Sequence, residues 1–203
     1  MVVTAVAEDA ASVDVDPFRR RLLDGLAASL GERGYRATTV ADIVRHARTS
    51  KRTFYDQFAS KEQCFLELLR ADTERLAEEI RAAVDPQVDW YRQIRQAVEA
   101  YVGSIKFRPA ITLSWIRELP SLGAAARPVQ RRGLQLLTSL LIDLSGSTGF
   151  QRANVAPLTP ALAVILLGGL RELTALAVED GKDVGEIIEP AVAASMALLG
   201  AQH

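Results

Sequence analysis

Residues 39–62 read TVADIVRHARTSKRTFYDQFASKE, and this stretch decides the fold. Thr39 is a good helix N-cap, and Asp42 three residues on completes a near capping box whose carboxylate also suits the positive end of a helix. Val40, Ile43, Val44 and Ala47 recur at helical spacing and define an inner face. Residues 47–49 form a tight break. Ser50 then caps a second short helix that carries Phe54 and Phe58 one turn apart, and Ser60 with Gln63 forms the capping box of a third helix. Two helices of seven or eight residues joined by a turn of three or four describe a helix-turn-helix, in which the second helix enters the major groove N-terminus first.

Outward from this stretch the pattern stays helical. On its N-terminal side, Asp16-Pro17 starts a helix over about 17–33, with Phe18, Leu22, Leu26 and Leu30 as its apolar stripe and Gly34 as its stop. On the C-terminal side a long helix runs through Phe65, Leu68, Leu69, Leu76 and Ile80 to Asp85-Pro86. Further helices are expected at about 88–107, 109–119, 122–144, 159–180 and 183–200. Residues 145–157 read as a loop, and Pro190 either kinks the last helix or marks its late start. No strand-like alternation and no internal repeat is visible. The expectation is an all-α chain of about nine helices: a tail over 1–15, a three-helix module over 16–62 and a larger helical body over 63–203.

Charge is unevenly spread. The 203-residue chain has a net charge of −1, yet residues 17–61 hold ten Lys or Arg against four Asp or Glu. A basic block on an acidic body is the footprint of a nucleic-acid-binding module, although charge alone is equally compatible with a merely basic surface. The first turn of the second short helix, Ser50-Lys51-Arg52-Thr53, can donate hydrogen bonds from all four side chains. Lys and Arg neutralise phosphates, and Arg reads guanine with a bidentate pair. Thr39 and Lys61 each open a helix whose backbone N–H groups suit phosphates.

The run Gly34-Tyr35-x-x-Thr38-Thr39-Val40-x-x-Ile43-x-x-x-Ala47-x-x-Ser50-Lys51-x-Thr53-Phe54-Tyr55-x-x-Phe58-x-Ser60-Lys61-Glu62 resembles the signature of the TetR family of transcriptional regulators. By that resemblance Thr39, Tyr55 and Lys61 are phosphate anchors and Ser50 to Thr53 the base-reading edge. Thr38, Arg48 and Thr49 complete the candidate DNA-contacting set. Two departures stand out: Arg48-Thr49 occupies the turn where many members have Gly-Val, and Arg52 stands where many have Gly. A positive φ at Arg48 would carry mild strain, and both arginines add charge beside the DNA.

For the body, the resemblance implies a homodimer on a palindromic operator and a small-molecule effector. The helix at 159–180 is apolar nearly all round from Ala161 to Leu170 and must be covered on both sides, by an intramolecular core or by a second copy. The candidate dimer residues are Leu162, Leu166, Gly169, Leu170, Leu173, Ile188, Val192, Ser195 and Leu199. Tyr101, Phe107, Arg108, Thr112, Trp115, Glu118, Gln135 and Thr138 are candidates for a mainly hydrophobic or aromatic ligand site, against plain core packing of each aromatic.

The remaining features narrow the alternatives. The single Cys64 forms no internal disulfide and fits a reducing, cytoplasmic compartment. The first residues lack the basic n-region of a signal peptide, and the run from Ala161 to Leu170 falls short of the ~20 residues a membrane helix needs. With two histidines and one cysteine, the sequence shows no metal-ligand cluster, phosphate-cradling glycine loop or nucleophile elbow, so no catalytic residue, metal or cofactor is expected. An enzyme using carboxylates alone, and a DNA-binding protein without a ligand, remain the rival readings.

Overall fold

A computed structural model describes residues 16–200; the expected N-terminal tail over 1–15 lies outside the described residues. Among the described residues the chain is all-helical: α1 (Pro17–Ala37), α2 (Val40–His46), α3 (Lys51–Gln57), α4 (Lys61–Ala83), α5 (Trp90–Phe107), α6 (Pro109–Leu113), α7 (Arg127–Ser145), α8 (Thr148–Arg152), α9 (Pro160–Glu179) and α10 (Ile188–Gly200). Local chemistry sets most of these boundaries. Asp16 accepts the Phe18 amide and places Pro17 in the first turn, where its missing N–H costs nothing. Gly34 does interrupt α1, at φ +71°, but one further turn follows it to Ala37.

The second half departs from the expected pattern in two places and decides between the two alternatives at Pro190. The helix expected at 109–119 is the five-residue α6 followed by a π-helical turn (Ser114–Glu118) and a tight turn (Leu119–Leu122) around Pro120. The expected 145–157 loop contains α8, whose Gly149 packs so closely on Val88 that a Cβ there would sit 2.0 Å from the Val88 carbonyl oxygen. Pro190 marks a late start: a short 3-10 turn (Val184–Ile187) precedes α10, which places the proline in the first turn of the helix.

Two cores result. The first gathers Leu22, Leu26, Ile43, Phe54, Phe58, Phe65 and Leu69 from α1–α4, and Ile111, Leu119 and Ala126 from the α6–α7 connection join it. α4 therefore runs across the 62/63 boundary, and the helix-turn-helix module is packed against the body through the α6 segment. The second core lies between α5, α8, α9 and α10, around Val98, Val102, Phe150, Leu166, Ile187 and Val192.

α9 corrects one sequence argument. Its apolar character continues past Leu170 through Leu173, Ala175 and Val178, so by length and composition it is long enough to cross a membrane, and only 28% of that window is buried within the chain. Arg171 and Glu172 interrupt it near the middle. Glu172 accepts hydrogen bonds from Arg117 of the π turn at 2.8 and 3.1 Å, and Arg117 also reaches Glu179 at 2.7 Å. Glu172 and Glu179 are held below the usual carboxylate range by these bonds. Two charges in mid-helix are costly in hydrocarbon, whereas at a water-facing edge Glu172, together with Glu179, clasps α9 to the π turn through Arg117.

Candidate nucleic-acid interface

α2 and α3 are fixed by three local devices. Thr39 caps α2: its hydroxyl accepts from the Asp42 amide at 3.2 Å, and Asp42 accepts from the Thr39 amide at 3.0 Å. The Thr39 hydroxyl and amide, with Arg33 3.2 Å away, hold the Asp42 carboxyl below its usual range. Gly25 of α1 lets α2 approach: a Cβ there would stand 2.6 Å from the Ile43 carbonyl oxygen and 3.1 Å from the Ala47 Cβ. Phe54 and Phe58, both buried with ring centroids 5.8 Å apart, pin α3 to this base.

The turn between α2 and α3 passes through Arg48 at φ +50°, in the left-handed region that glycine adopts without cost. Beyond it, Ser50 accepts from the Thr53 amide at 3.1 Å, and the two hydroxyls lie 3.0 Å apart. They thus form the cap of α3 while remaining at its open end. Lys51, Arg52 and Tyr55 are exposed, Tyr55 at 57%.

Charge pairing sorts the arginines. Arg33 lies against Asp42, Arg45 against Glu32, and Arg36 against Glu118. Arg48, Lys51 and Arg52 have no carboxylate within ion-pair distance among the described residues. Three uncompensated cations therefore gather at the turn and the N-terminal end of α3, where the helix dipole adds to their field. Sequence reasoning missed Arg19: its guanidinium donates to the Gln57 carbonyl at 2.9 Å, lies over the Phe58 ring and pairs with Glu67, so it braces the C-terminal end of α3. Its i+3 and i+4 neighbours on α1 gave no sign of these long-range partners. His46 sits with Nε2 3.2 Å from Glu32.

Two residues expected at the DNA are used inside the module. Thr38 is 1% exposed and donates its hydroxyl to the Gly34 carbonyl at 2.7 Å, so it closes α1 and does not reach the surface. Lys61 donates to the carbonyls of Tyr35 and Thr38 at 2.9 and 2.8 Å and lies over the Tyr35 ring; burial holds its ammonium below the usual lysine range. Two of its three N–H donors thus tie α4 to the end of α1. The Gln63 side chain of the α4 cap accepts from Ala59 rather than from Ser60.

Residues 22–68 match the family model described as bacterial regulatory proteins, tetR family. The helix-turn-helix module is that of the tetR family. The chain is 42% identical over 77 residues to the transcriptional repressor KstR2 of Mycobacterium tuberculosis, covering 38% of each protein. It is 31% identical over 91 residues to the transcriptional activator FasR of Mycolicibacterium smegmatis, covering 45% of this chain and 42% of that one. The chain thus spans less than half the length of these curated relatives. The chain as a whole resembles solved structures in fold: the regulator FadR of Bacillus subtilis, in complex with stearoyl-CoA, superimposes with a TM-score of 0.74 at 16% identity over 91% of this chain and 99% of that one.

The tetR-type module stands on a body with two cavities. The wider, about 580 Å³, lies between α4, the π turn, α7 and α9. Of the sequence-expected ligand residues it is lined by Tyr101, Thr112 and Trp115. The others lie elsewhere: Phe107 is 76% exposed at the end of α5, Gln135 faces outward on α7, Glu118 pairs with Arg36, Arg108 stands behind Asp72, and the buried hydroxyl of Thr138 has no hydrogen-bond partner among the described residues. A helix-period pattern marks them as polar or aromatic but does not give the face each presents. Trp115 is aimed inward because Gly133 of α7 leaves room for its ring; a Cβ there would lie 2.9 Å from Trp115 Cζ2. The second cavity, about 80 Å³, is almost wholly apolar and lies among α5, α7, α9 and α10.

The candidate dimer residues also divide. Leu166, Val192, Ser195 and Leu199 are buried within the chain, and Leu162, Leu170 and Ile188 are half-buried. Gly169 and Leu173 are exposed, and the outward apolar strip of α9 runs instead through Val164, Ile165, Gly168 and Leu176. Cys64 is buried under α1, where desolvation pushes its thiol up to about 12.

Proposed function

We propose that this chain is a DNA-binding transcriptional regulator that acts as a homodimer on a palindromic operator and is released from it by an amphipathic, anionic small molecule. The observation that carries DNA binding is the cluster of unpaired Arg48, Lys51 and Arg52 at the head of a short helix held rigid by Phe54 and Phe58. Fixed cations displace counterions from the backbone, and the projecting helix end reads base edges. The match of the module to a family of bacterial regulatory proteins supports the same reading. A chain that acts on operators works in the cytoplasm.

The exposed strip on α9 supports a second copy as its cover. Ile165 is 59% and Leu176 48% exposed beside Gly168 and Gly169, which lets two helices approach closely. A self-complementary strip generates the two-fold symmetry that a palindrome requires.

The wide cavity supports the ligand class. Its carboxylates are already paired, Asp72 with Arg75 at 2.7 Å and Glu172 with Arg117 at 2.8 Å, whereas Arg131 and Arg171 have no carboxylate partner among the described residues. A mouth with two spare guanidiniums above apolar walls suits an anionic head on an apolar body. The FadR structure that shares the fold holds stearoyl-CoA, a molecule of that chemistry. Ligand in this cavity bears on Trp115 and the π turn. The segment just beyond inserts Leu119 into the core of the DNA-binding module, so a shift of the turn tilts α2 and α3. Coupling of this kind is typically ~1–3 kcal/mol.

Selection from random duplexes, followed by gel shifts across a salt series, tests the DNA reading. The expected result is one preferred palindrome and a steep salt dependence. No preference over bulk competitor would refute it. Sedimentation of Ile165→Glu tests the dimer: the wild type sediments as a dimer and the variant as a monomer with weakened operator binding.

A further inference from the structure

The two cavities share walls. Leu76, Tyr101, Leu137, Leu167 and Leu170 line both the wide outer chamber and the small inner one. Four of these are aliphatic. The fifth, Tyr101, spans from α5 to α9 and is anchored there, its hydroxyl 2.8 Å from Thr174 Oγ1, which itself donates to the Leu170 carbonyl. Tyr101 is thus the only wall residue held by a specific, breakable polar contact among the five.

The polar lining groups of the inner chamber are already used: Gln93 donates to the carbonyls of Pro86 and Val88, Ser145 to that of Ile142 and Ser195 to that of Ala191. A chamber that offers no spare hydrogen bond stays dry and accepts only hydrocarbon. A head group cannot lodge there, so a ligand enters tail first, with its charge left at Arg131 and Arg171.

We infer that Tyr101 is a chain-length gate: tails that fit the outer chamber leave it shut, and longer straight-chain tails displace its ring, break the bond to Thr174 and fill the inner chamber. The specificity of the site is then for long-chain amphipathic anions, and the signal of a long tail is the release of α9 from α5. This rests on the amphipathic-ligand reading above and goes further in assigning one residue the choice of length.

Calorimetric titration of the full chain with straight-chain carboxylates from hexanoate to hexadecanoate, below their micelle concentrations, tests the gate. Each buried methylene is worth about fourfold in affinity. The wild type gains affinity with length, pauses where the next carbon must move Tyr101, and gains again as the inner chamber fills. Tyr101→Ala removes the pause and tightens only the long members, by about fivefold, the worth of one hydrogen bond. Thr174→Val shortens the pause with the ring still present, which keeps the test independent of any damage from the alanine. Ser195→Leu fills the inner chamber, so the second gain disappears while short tails bind as before.

The chain's two tryptophans give an independent readout. Trp115 lines the outer chamber, and Trp90 packs 6.0 Å from the Phe150 ring that lines the inner one. In Trp115→Phe, the emission of Trp90 shifts with hexadecanoate and not with octanoate. Parallel length dependences in wild type and Tyr101→Ala, or a Trp90 response to short and long tails alike, overturn the gate and leave the ligand class standing. No binding at any length overturns both.

Discussion

Replacing Gly25 by Ala tests the packing on which the whole interface stands. The new Cβ would sit 2.6 Å from the Ile43 carbonyl oxygen, 3.0 Å from the Ala47 nitrogen and 3.1 Å from the Ala47 Cβ. All three are fixed atoms of α2 or its cap, and the Ile43 carbonyl already accepts the Ala47 amide at 2.9 Å. No side chain can swing aside, so α2 must move off α1 by several tenths of an ångström. Overpacking of this kind costs typically 1–3 kcal/mol. Alanine in a helix interior returns about 0.5–1 kcal/mol relative to glycine. The net expectation is a loss of about 1–2 kcal/mol. Gly31 lies on the same helix, where an added Cβ would meet nothing within 4 Å among the described residues, so Gly31→Ala gains about 0.5–1 kcal/mol from helix propensity alone. Urea unfolding followed by circular dichroism should therefore separate the two variants by about 2 kcal/mol in opposite directions at equal slope. Gly25→Ala should also weaken operator binding, because α2 carries α3 with it. Equal stabilisation by both substitutions would refute the close crossing of α1 and α2 and the placement of α3 that follows from it.

Three further outcomes are expected. Arg48→Gly relieves the positive φ at the turn and stabilises the chain by roughly 1 kcal/mol in thermal or urea unfolding, while the salt slope of operator binding falls by about one unit. Lys61→Met leaves the carbonyls of Tyr35 and Thr38 without their ammonium donor and costs about 1–3 kcal/mol of stability, part of the bonds' worth being offset by the desolvation of the ammonium; its effect on the salt slope is smaller than that of Arg52→Ala, as gel shifts of the two variants at several ionic strengths would show. The Asp42 carboxylate is favoured in the folded chain, so its contribution is fully present above the ordinary carboxylate value of about 4 and is lost as pH falls through the lowered folded value. Asp42→Asn therefore flattens the acid limb of a stability–pH profile and leaves the neutral region nearly level; an unchanged acid limb would remove Asp42 from the cap.

Local chemistry settled the module from sequence. Thr39 with Asp42, Ser50 and Ser60 each fix a helix start through bonds that span three residues, and Phe54 with Phe58 declares the buried side of α3; such signals need no distant partner. The positive φ found at Arg48, which from sequence was only a condition, is also local, since a break between two helices leaves few conformations. What failed to be legible depends on residues far apart in the chain. Lys61 reads as a surface cation until the end of α1 places two carbonyls beside it, and Thr38 reads as a polar contact until it turns inward to Gly34. Arg19 gains its role only from Gln57, Phe58 and Glu67.

The body shows the same division more sharply. Composition and period gave an apolar helix near 159–180 and a mixed aromatic region near 90–140, but neither gave the rotation of a helix about its axis. That rotation turned Leu166 and Leu199 inward and Ile165 outward, and placed Tyr101 and Trp115, rather than Phe107, on the cavities. The sequence by itself determined where helices start, stop and expect to be buried, because capping and periodicity act over a few residues. Only the tertiary structure decided which cations stay unpaired, which apolar face stays uncovered and where the hollow lies, because each of these is a property of the space between helices.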